Sequence, residues 1–231
     1  MIKNQLLLVG IVGIVVVAVV VIAGLGGNNQ NSKPDESGVN SVPPTAESLQ
    51  GILLKAETID SLYYEITMTM TMPQYGTQTV TMKVWQEKPY LKEQITAAVN
   101  GMTNTISVIQ RPEGTYLYDA TQGKYVLTTT VPSYVTSLQY LDSKMIKDLL
   151  NNQTITHFAT DVIDGKTATV FDYTISTMGM NMTVKMWIWN EKGLPLKALI
   201  TMEMQQQTIN MDIRFNNYSF ADIPDSTFSV T

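Results

Sequence analysis

Apolar and polar residues alternate along much of this chain, and this period of two is the feature that most restricts its fold. From Leu62 to Met72 every second residue is apolar, and the residues between them are mostly threonine. Successive side chains of a β-strand point to opposite faces, so such a segment forms a strand with one buried and one solvated face. We therefore expect a mainly β protein.

Further segments carry the same pattern, and turn residues such as those of Asp164-Gly165 separate them. The predicted strands lie at about 62–72, 79–84, 90–98, 104–110, 115–119, 124–129, 154–162, 167–177, 181–189, 194–205 and 207–217. The short connections make all of them antiparallel. In the tenth strand the alternation places Leu196 on the same face as Met202. Asp161 to Gly165 is predicted to be a hairpin turn, because the downstream ligands of a calcium loop are missing.

Two segments have the three-to-four-residue spacing of helices. Thr45 is predicted to cap a first helix, whose apolar stripe runs from Leu49 to Ala56 and which ends near Thr58. Between the sixth and seventh strands, residues 132–152 are predicted to form one helix or two short ones. The sequence therefore predicts two or three helices beside the strands.

An eleven-stranded sheet is too wide for so few helices to cover while it stays flat. At about 4.8 Å per strand it would be roughly 50 Å wide, whereas a helix is only about 10 Å across. An open apolar face of that size would exceed the patches that soluble proteins tolerate. The predicted fold class is therefore mainly β (α+β): an antiparallel half-barrel of about eleven strands, with the helices covering its concave apolar face.

Methionine is frequent on the apolar face of these strands, which carries ten of the 14 methionines. Strands normally prefer β-branched residues there, whereas the unbranched thioether adapts to irregular or changing surfaces. These residues either fill an ordinary core against the helices or form a deformable lining for an acyl chain. The candidate lining residues are Met68, Met70, Met82, Val84, Leu138, Leu141, Met145, Met180, Met182, Met186, Met202, Met204, Met211 and Ile213.

Residues 6–25 contain no charge, amide or hydroxyl. As a helix rising about 1.5 Å per residue, the run covers roughly 30 Å, the thickness of a bilayer's hydrocarbon core. Lys3 precedes it and no basic residue follows directly, so the positive-inside rule leaves the N-terminus in the cytoplasm. A cleaved signal peptide is the alternative. In either case the rest of the chain lies on the extracytoplasmic face.

The expected organisation has four parts. Residues 1–5 are cytoplasmic, and residues 6–25 form a single-pass transmembrane anchor in the cell membrane. Residues 26–44 are rich in Gly, Asn, Ser and Pro and are expected to form a flexible linker. Residues 45–231 are expected to form one domain.

Composition excludes several classes of function. The chain has no cysteine and carries 15 basic and 20 acidic residues, a formal net charge of −5, so neither thiol chemistry nor nucleic-acid binding is expected. His157 is the only histidine, and we expect a surface or structural role for it. No nucleophile elbow, phosphate-binding loop or metal-spaced cluster accompanies it. We therefore predict no catalytic residue, no metal, no cofactor and no enzyme activity.

Two other residue types are candidates for contact or modification. The tryptophans are predicted to lie on the face opposite the methionines, either half-buried or in contact with a partner: Trp85, Trp187 and Trp189. Three sequons on an exported chain are candidate N-glycosylation sites: Asn152, Asn181 and Asn217.

Several segments resemble a known family. Residues 187–197, from Trp-Ile-Trp-Asn-Glu-Lys-Gly to Leu-Pro-Leu-Lys, together with 211–220 and 223–228, are similar to the closing strands of lipoprotein carriers of the LolA type and lipid-binding lipoproteins of the LppX type. Residues 85–92 and 114–119 resemble earlier strands of that family, although Lys92 stands where an Arg is common. The resemblance implies an eleven-stranded half-barrel that is closed by helices and holds acyl chains.

The leading hypothesis is a membrane-anchored extracytoplasmic domain that binds a lipid or an acylated protein non-covalently in an apolar cavity. Entry would be through a mouth gated by the helix at 132–152. The alternative is a non-enzymatic sensor or scaffold of the same fold, which recognises a partner protein through its rim or through the face that bears Trp187. The sequence leaves the oligomeric state open.

Overall fold

The computed structural model describes residues 45–72, 76–99, 102–128, 155–177, 180–204 and 207–230. Within these ranges the chain forms eleven strands, one α-helix and a 3-10 helix at Asp225–Phe228. The elements in chain order are α1 (Ala46–Glu57), β1 (Ser61–Met72), β2 (Gly76–Glu87), β3 (Tyr90–Val99), β4 (Met102–Arg111), β5 (Gly114–Asp119), β6 (Lys124–Thr128), β7 (Thr156–Ile163), β8 (Lys166–Thr177), β9 (Met180–Trp189), β10 (Pro195–Met204) and β11 (Gln207–Ser219).

All eleven strands belong to one antiparallel sheet. Their order is β6-β5-β4-β3-β2-β1-β11-β10-β9-β8-β7. Two meanders, β1 to β6 and β7 to β11, are therefore joined where β1 pairs with β11. The sheet is open, with β6 and β7 at its two edges. The predicted mainly β, antiparallel architecture of eleven strands is confirmed.

The helix α1 begins and ends where the sequence predicts. The Thr45 hydroxyl oxygen accepts a hydrogen bond from the backbone N–H of Ser48 at 3.2 Å. The Ser48 hydroxyl oxygen accepts one from the backbone N–H of Thr45 at 2.8 Å. This reciprocal cap satisfies two of the N–H groups that a helix start leaves without partners. Leu49 and Leu53, one turn apart, are fully buried in the main apolar cluster, so α1 lies against the sheet.

The turn between β9 and β10 fixes the other end of α1. Gly193 has a φ of +71°, and a Cβ placed there would lie 2.3 Å from the carbonyl oxygen of Ile52. Only glycine permits both the backbone angle and this close approach. The Lys55 ammonium also donates to the carbonyl oxygen of Asn190 at 2.7 Å. The helix is therefore held to the turn by backbone proximity and by a hydrogen bond.

The two faces of the sheet are packed differently. One face, here called the methionine face, carries the main cluster, which α1 joins through its leucines. The opposite, outer face carries two smaller clusters. One contains Trp187 and Leu196 and the other contains Ile109 and Phe228. The predicted placement of the tryptophans opposite the methionines is confirmed.

The predicted orientation of Leu196 is wrong. The pairing of β9 with β10 shifts register between Pro195 and Lys197, because one extra residue is inserted in β10. Such a bulge inverts the side-chain alternation on one side of the irregularity. Leu196 therefore packs on the outer face, while Ala198, Ile200 and Met202 remain on the methionine face.

Several sequence expectations lie outside the described residues. These are the anchor at 6–25, the linker at 26–44 and the helix or helices at 132–152. Within the described ranges, no helix is both long enough and apolar enough to cross a membrane.

Candidate functional site

The predicted lining residues come together on the methionine face. Seven methionines have at most 3% of their surface exposed, and Val84 and Ile213 are equally buried. These methionines are Met68, Met70, Met82, Met182, Met186, Met202 and Met211. Their strands β2, β1, β11, β10 and β9 are neighbours in the sheet, so the residues form one continuous surface.

Strand register brings the thioethers side by side. Met70 pairs with Met211 across β1 and β11, and Met182 pairs with Met202 across β9 and β10. Directly opposite side chains on antiparallel strands have Cβ atoms about 5 Å apart. The middle of the sheet therefore presents a band of flexible, polarizable side chains.

The remaining candidate lining residues have no described side chains. Met180 and Met204 lie at the start of β9 and the end of β10, but their side chains fall outside the described part. Leu138, Leu141 and Met145 lie outside the described residues altogether. That the methionine face borders a ligand cavity remains a prediction.

Glu93 is a polar residue of this face that the sequence analysis did not single out. It lies in β3 between the inward-facing Leu91 and Ile95, which belong to or pack against the main cluster. Its partners on the neighbouring strands are Val84 and Val108. Only 2% of Glu93 is exposed, so its carboxyl group is removed from water.

The Glu93 carboxyl is not satisfied by the described residues. Its Oε2 atom is buried without a hydrogen-bond partner in this part of the chain. Burial disfavours the charged form and raises the pKa of Glu93 to about 8. The alternation of β3 would have revealed the residue, since Glu93 occupies an inward position in an otherwise apolar register.

Tyr173 is a second buried polar residue on the same face. It belongs to the main cluster, and its ring stacks on Phe171 with centroids 6.0 Å apart. Its hydroxyl has no hydrogen-bond partner among the described residues, and burial raises its pKa. The methionine face thus holds two polar groups that are removed from water and remain unpaired in the described structure.

On the outer face, the indole of Trp187 has a hydrogen-bond partner. Trp187 is only 6% exposed, and its indole N–H donates to Asp161 Oδ2 at 2.9 Å. This bond is the main cause of the lowered pKa of Asp161. The ammonium groups of Lys185 and Lys197 lie 5.5 and 5.0 Å from the Trp187 ring centre. Because its ring is covered, Trp187 offers little surface to a partner protein.

Lys92 fastens the C-terminal segment to the outer face. Its ammonium donates to the carbonyl oxygen of Thr227 at 3.0 Å and lies 5.7 Å from the Trp85 ring centre and 5.9 Å from that of Tyr125. Burial lowers its pKa. Lys92 therefore has a structural role on the outer face.

His157 lies at the surface, as predicted. Its side chain is 81% exposed, and its Nδ1 lies 3.5 Å from Asp172 Oδ2. The predicted hairpin at Asp161 to Gly165 is confirmed, because Asp164 and Gly165 turn the chain with φ values of +48° and +75°. In the described ranges no three His, Asp or Glu residues are grouped closely enough to hold a metal ion.

The three sequons differ in position. Asn152 lies outside the described residues, and Asn181 lies in β9 with its side chain outside the described part. Asn217 is exposed, at the irregularity of the β1–β11 pairing, with φ +56°. Its amide donates to Glu65 Oε2 at 2.9 Å. Glycosylation at any of these positions remains a prediction.

An open groove of about 770 Å³ lies at the end of α1. It is lined by charged residues of both signs and by two exposed apolar side chains, Leu54 (46% exposed) and Phe220 (38%). None of the buried methionines lines this groove. It is therefore separate from the methionine face.

Comparison with known proteins bears on the fold and on location. A family described as "Predicted periplasmic protein (DUF2092)" matches residues 126–231. No curated protein matches the chain. The single sheet of eleven antiparallel strands is the architecture that the resemblance to LolA-type and LppX-type proteins implies.

Several solved structures are similar to the chain. LprF from Mycobacterium bovis is 16% identical with a TM-score of 0.45, and the match covers 79% of this chain and 97% of LprF. A LolA superfamily protein from Nitrosomonas europaea is 13% identical with a TM-score of 0.36, over 82% and 98% of the two chains. A chain of the Pseudomonas aeruginosa MucA/MucB complex is 14% identical with a TM-score of 0.47, over 78% and 59%.

Proposed function

We propose that this protein is a membrane-anchored extracytoplasmic domain that binds a lipid or a lipid-modified protein non-covalently, without catalysing a reaction. The observation that carries the proposal is the methionine face, a continuous band of seven buried thioethers across five neighbouring strands. The periplasmic family match supports the extracytoplasmic location.

The proposed binding mode follows from the chemistry of the face. The sheet curves into a half-barrel, and an acyl chain lies against the methionines, whose rotatable side chains adapt to its shape. Removing each methylene from water contributes about 0.8 kcal/mol. A chain of a dozen or so methylenes therefore has ample driving force before the cost of ordering it, and no bond chemistry is needed.

Retention at the membrane follows from the predicted anchor. Residues 6–25 hold the domain close to the bilayer, and the linker at 26–44 spans roughly 25 Å as a coil. The domain can therefore take an acyl chain from the membrane surface without leaving it. Residues 132–152 are proposed to gate the entrance.

The test uses the full chain, purified in mild detergent and transferred to phosphatidylcholine vesicles. Co-purified lipid is identified by mass spectrometry, and binding of a fluorescent fatty acid is followed by titration. We expect saturable uptake of the probe. A folded protein that carries no lipid and never takes up the probe would refute the proposal.

Two variants on one strand locate the site. Met182→Asp places a charge on the methionine face and should abolish uptake, whereas Thr183→Asp, on the exposed opposite side of β9, should leave it unchanged. Because a buried aspartate can prevent folding, Met182→Leu serves as a volume-conserving control. It should fold and still bind the probe.

Recognition of a partner protein through Trp187 is less well supported. The residue is buried beneath Lys185 and Lys197 and is hydrogen-bonded to Asp161. Replacing Trp187 would disturb the outer cluster as well as any contact, so a pull-down with Trp187→Ala does not discriminate cleanly between the two functions. The buried face of the sheet thus favours the lipid-binding proposal.

A further inference from the structure

The unpaired polar atoms of the methionine face carry information about the polar end of the ligand. This inference rests on the proposed function and adds a ligand class to it. We propose that the ligand is an acyl-chain amphiphile whose polar group, a hydroxyl or an ammonium, donates a hydrogen bond to the carboxyl group of Glu93.

The position of Glu93 leaves its carboxyl directed to the same side as the methionines. In a strand, side chains stand roughly perpendicular to the sheet, while the backbone groups bond within it. Glu93 pairs with Val84 on one side and Val108 on the other, and both are buried. Neither neighbour can donate a hydrogen bond, so a partner has to come from above the face.

The nearest cationic side chains along the sheet point the other way. Lys92, the preceding residue, donates to the carbonyl oxygen of Thr227 on the outer face. Lys83, on the adjacent strand, lies 3.8 Å from Glu65, which also bonds to Asn217. The side chains of Lys92 and Lys83 therefore lie on the outer face and do not pair with the carboxyl of Glu93.

An unpaired buried carboxyl selects for a particular ligand group. Once it is ionised, the carboxylate only accepts hydrogen bonds, so a hydroxyl or an ammonium satisfies it, while an ester offers only further acceptors. A site that is built to hydrogen-bond a ligand group discriminates strongly against analogues lacking that group, because its own polar atom then stays buried and unpaired. Donor-bearing amphiphiles should therefore bind at least about tenfold better than an ester of equal chain length.

Tyr173 provides a matched control on the same face. Its unpaired hydroxyl lies in β8, which five strands separate from β3 in the sheet order. A hydroxyl both donates and accepts, so it does not discriminate between donor and acceptor ligands. Tyr173→Phe thus removes a polar atom from the face and should leave the preference for donors unchanged.

The experiment uses photo-crosslinking of the full chain in phosphatidylcholine vesicles at about pH 9, above the pKa of Glu93, where its carboxylate only accepts hydrogen bonds. Three probes share one diazirine-bearing alkyl chain and differ only in their ends: an amine, an alcohol and a methyl ester. After irradiation and digestion, mass spectrometry quantifies labelling of peptides from β1, β2 and β9 to β11. The amine and alcohol should label these peptides at least about tenfold more than the ester.

Variants at Glu93 test whether this residue sets the preference. Glu93→Leu should abolish the advantage of both donors and leave ester labelling intact. Glu93→Gln keeps an acceptor, so it should retain the alcohol and lower amine labelling about tenfold, because a hydrogen bond between charged groups is lost. Tryptophan fluorescence confirms that each variant is folded, and Glu203→Gln, an exposed carboxyl on β10, should behave as the wild type.

The outcomes separate this inference from the proposed function. Equal labelling by all three probes would overturn the role of Glu93 while leaving acyl-chain binding in place. A donor preference that persists in Glu93→Leu would overturn it as well. Absence of labelling by every probe would overturn both this inference and the proposed function.

Discussion

The buried carboxyl of Glu93 should make the stability of this protein depend on pH in a direction opposite to that of most carboxylates. Burial raises its pKa from 4.5 to about 8 in the folded chain, whereas in the unfolded chain water solvates the carboxylate. Well below pH 4.5 the carboxyl is protonated in both the folded and the unfolded chain, so it does not change the free energy of unfolding. Between pH 4.5 and 8 only the unfolded chain loses the proton, so the free energy of unfolding falls as pH rises.

The size of the effect follows from the pKa difference. A difference of roughly 3.5 units at about 1.4 kcal/mol per unit corresponds to about 5 kcal/mol in total, of which about 4 kcal/mol develops between pH 5 and pH 8.5. With a denaturation slope of about 2 kcal/mol per molar urea, this is a shift of about 2 M in the unfolding midpoint. Because the side chain introduced by Glu93→Gln cannot ionise, the free energy of unfolding of this variant should not fall in this way as pH rises.

The assay is urea unfolding of the full chain in mild detergent, followed by tryptophan fluorescence at pH 5, 6, 7 and 8.5. The quantity compared is the stability of Glu93→Gln minus that of the wild type, so every other titratable group cancels. This difference should grow by about 4 kcal/mol between pH 5 and 8.5. A constant difference across the range would show that the carboxyl is solvated or paired and would refute the reasoning. Glu203→Gln, at an exposed carboxyl, controls for the loss of a charge.

Three further predictions concern packing. Gly193→Ala adds a Cβ 2.3 Å from the Ile52 carbonyl oxygen at a positive φ and should lower the free energy of unfolding in urea by about 3 kcal/mol. Gly123→Ala, at φ +66° with open space around it, should lower it by only about 1 kcal/mol. Equal losses would mean that α1 does not pack closely against the turn at Gly193. Trp187→Ala should lose about 3–5 kcal/mol through the cavity it leaves, and an unchanged midpoint would place Trp187 at the surface. Tyr173→Phe removes an unpaired hydroxyl and should raise stability by about 1 kcal/mol; a loss would reveal a bonded hydroxyl.

The eleven strands could be predicted because half-burial imposes a period of two on the sequence. The first strand was expected at 62–72 and occupies Ser61–Met72, and the last was expected at 207–217 and occupies Gln207–Ser219. The start of α1 could also be predicted, because the cap at Thr45 depends on residues only three positions apart. Features that depend on short-range spacing were therefore recovered to within a few residues.

Features that depend on partners across the sheet were not recovered. Leu196 was assigned to the wrong face because a bulge inserts one residue into β10, and the alternation of a single strand does not reveal its pairing. Likewise, the sequence places Trp187 opposite the methionines but does not show that Asp161, 26 residues earlier, covers its indole N–H. The unpaired state of Glu93 depends on Val84 and Val108, which come from two other strands.

Two buried polar groups argue that the methionine face is not merely a core. On the outer face, Trp187 donates to Asp161 and Lys92 donates to the carbonyl oxygen of Thr227. On the methionine face, Glu93 and Tyr173 keep buried atoms without partners in the described structure. A surface required only for stability would gain from an apolar side chain at position 93, so Glu93→Leu should unfold at higher urea than the wild type at pH 8. If that variant also loses the preference for hydrogen-bond donors, the carboxyl is kept for binding at the expense of stability.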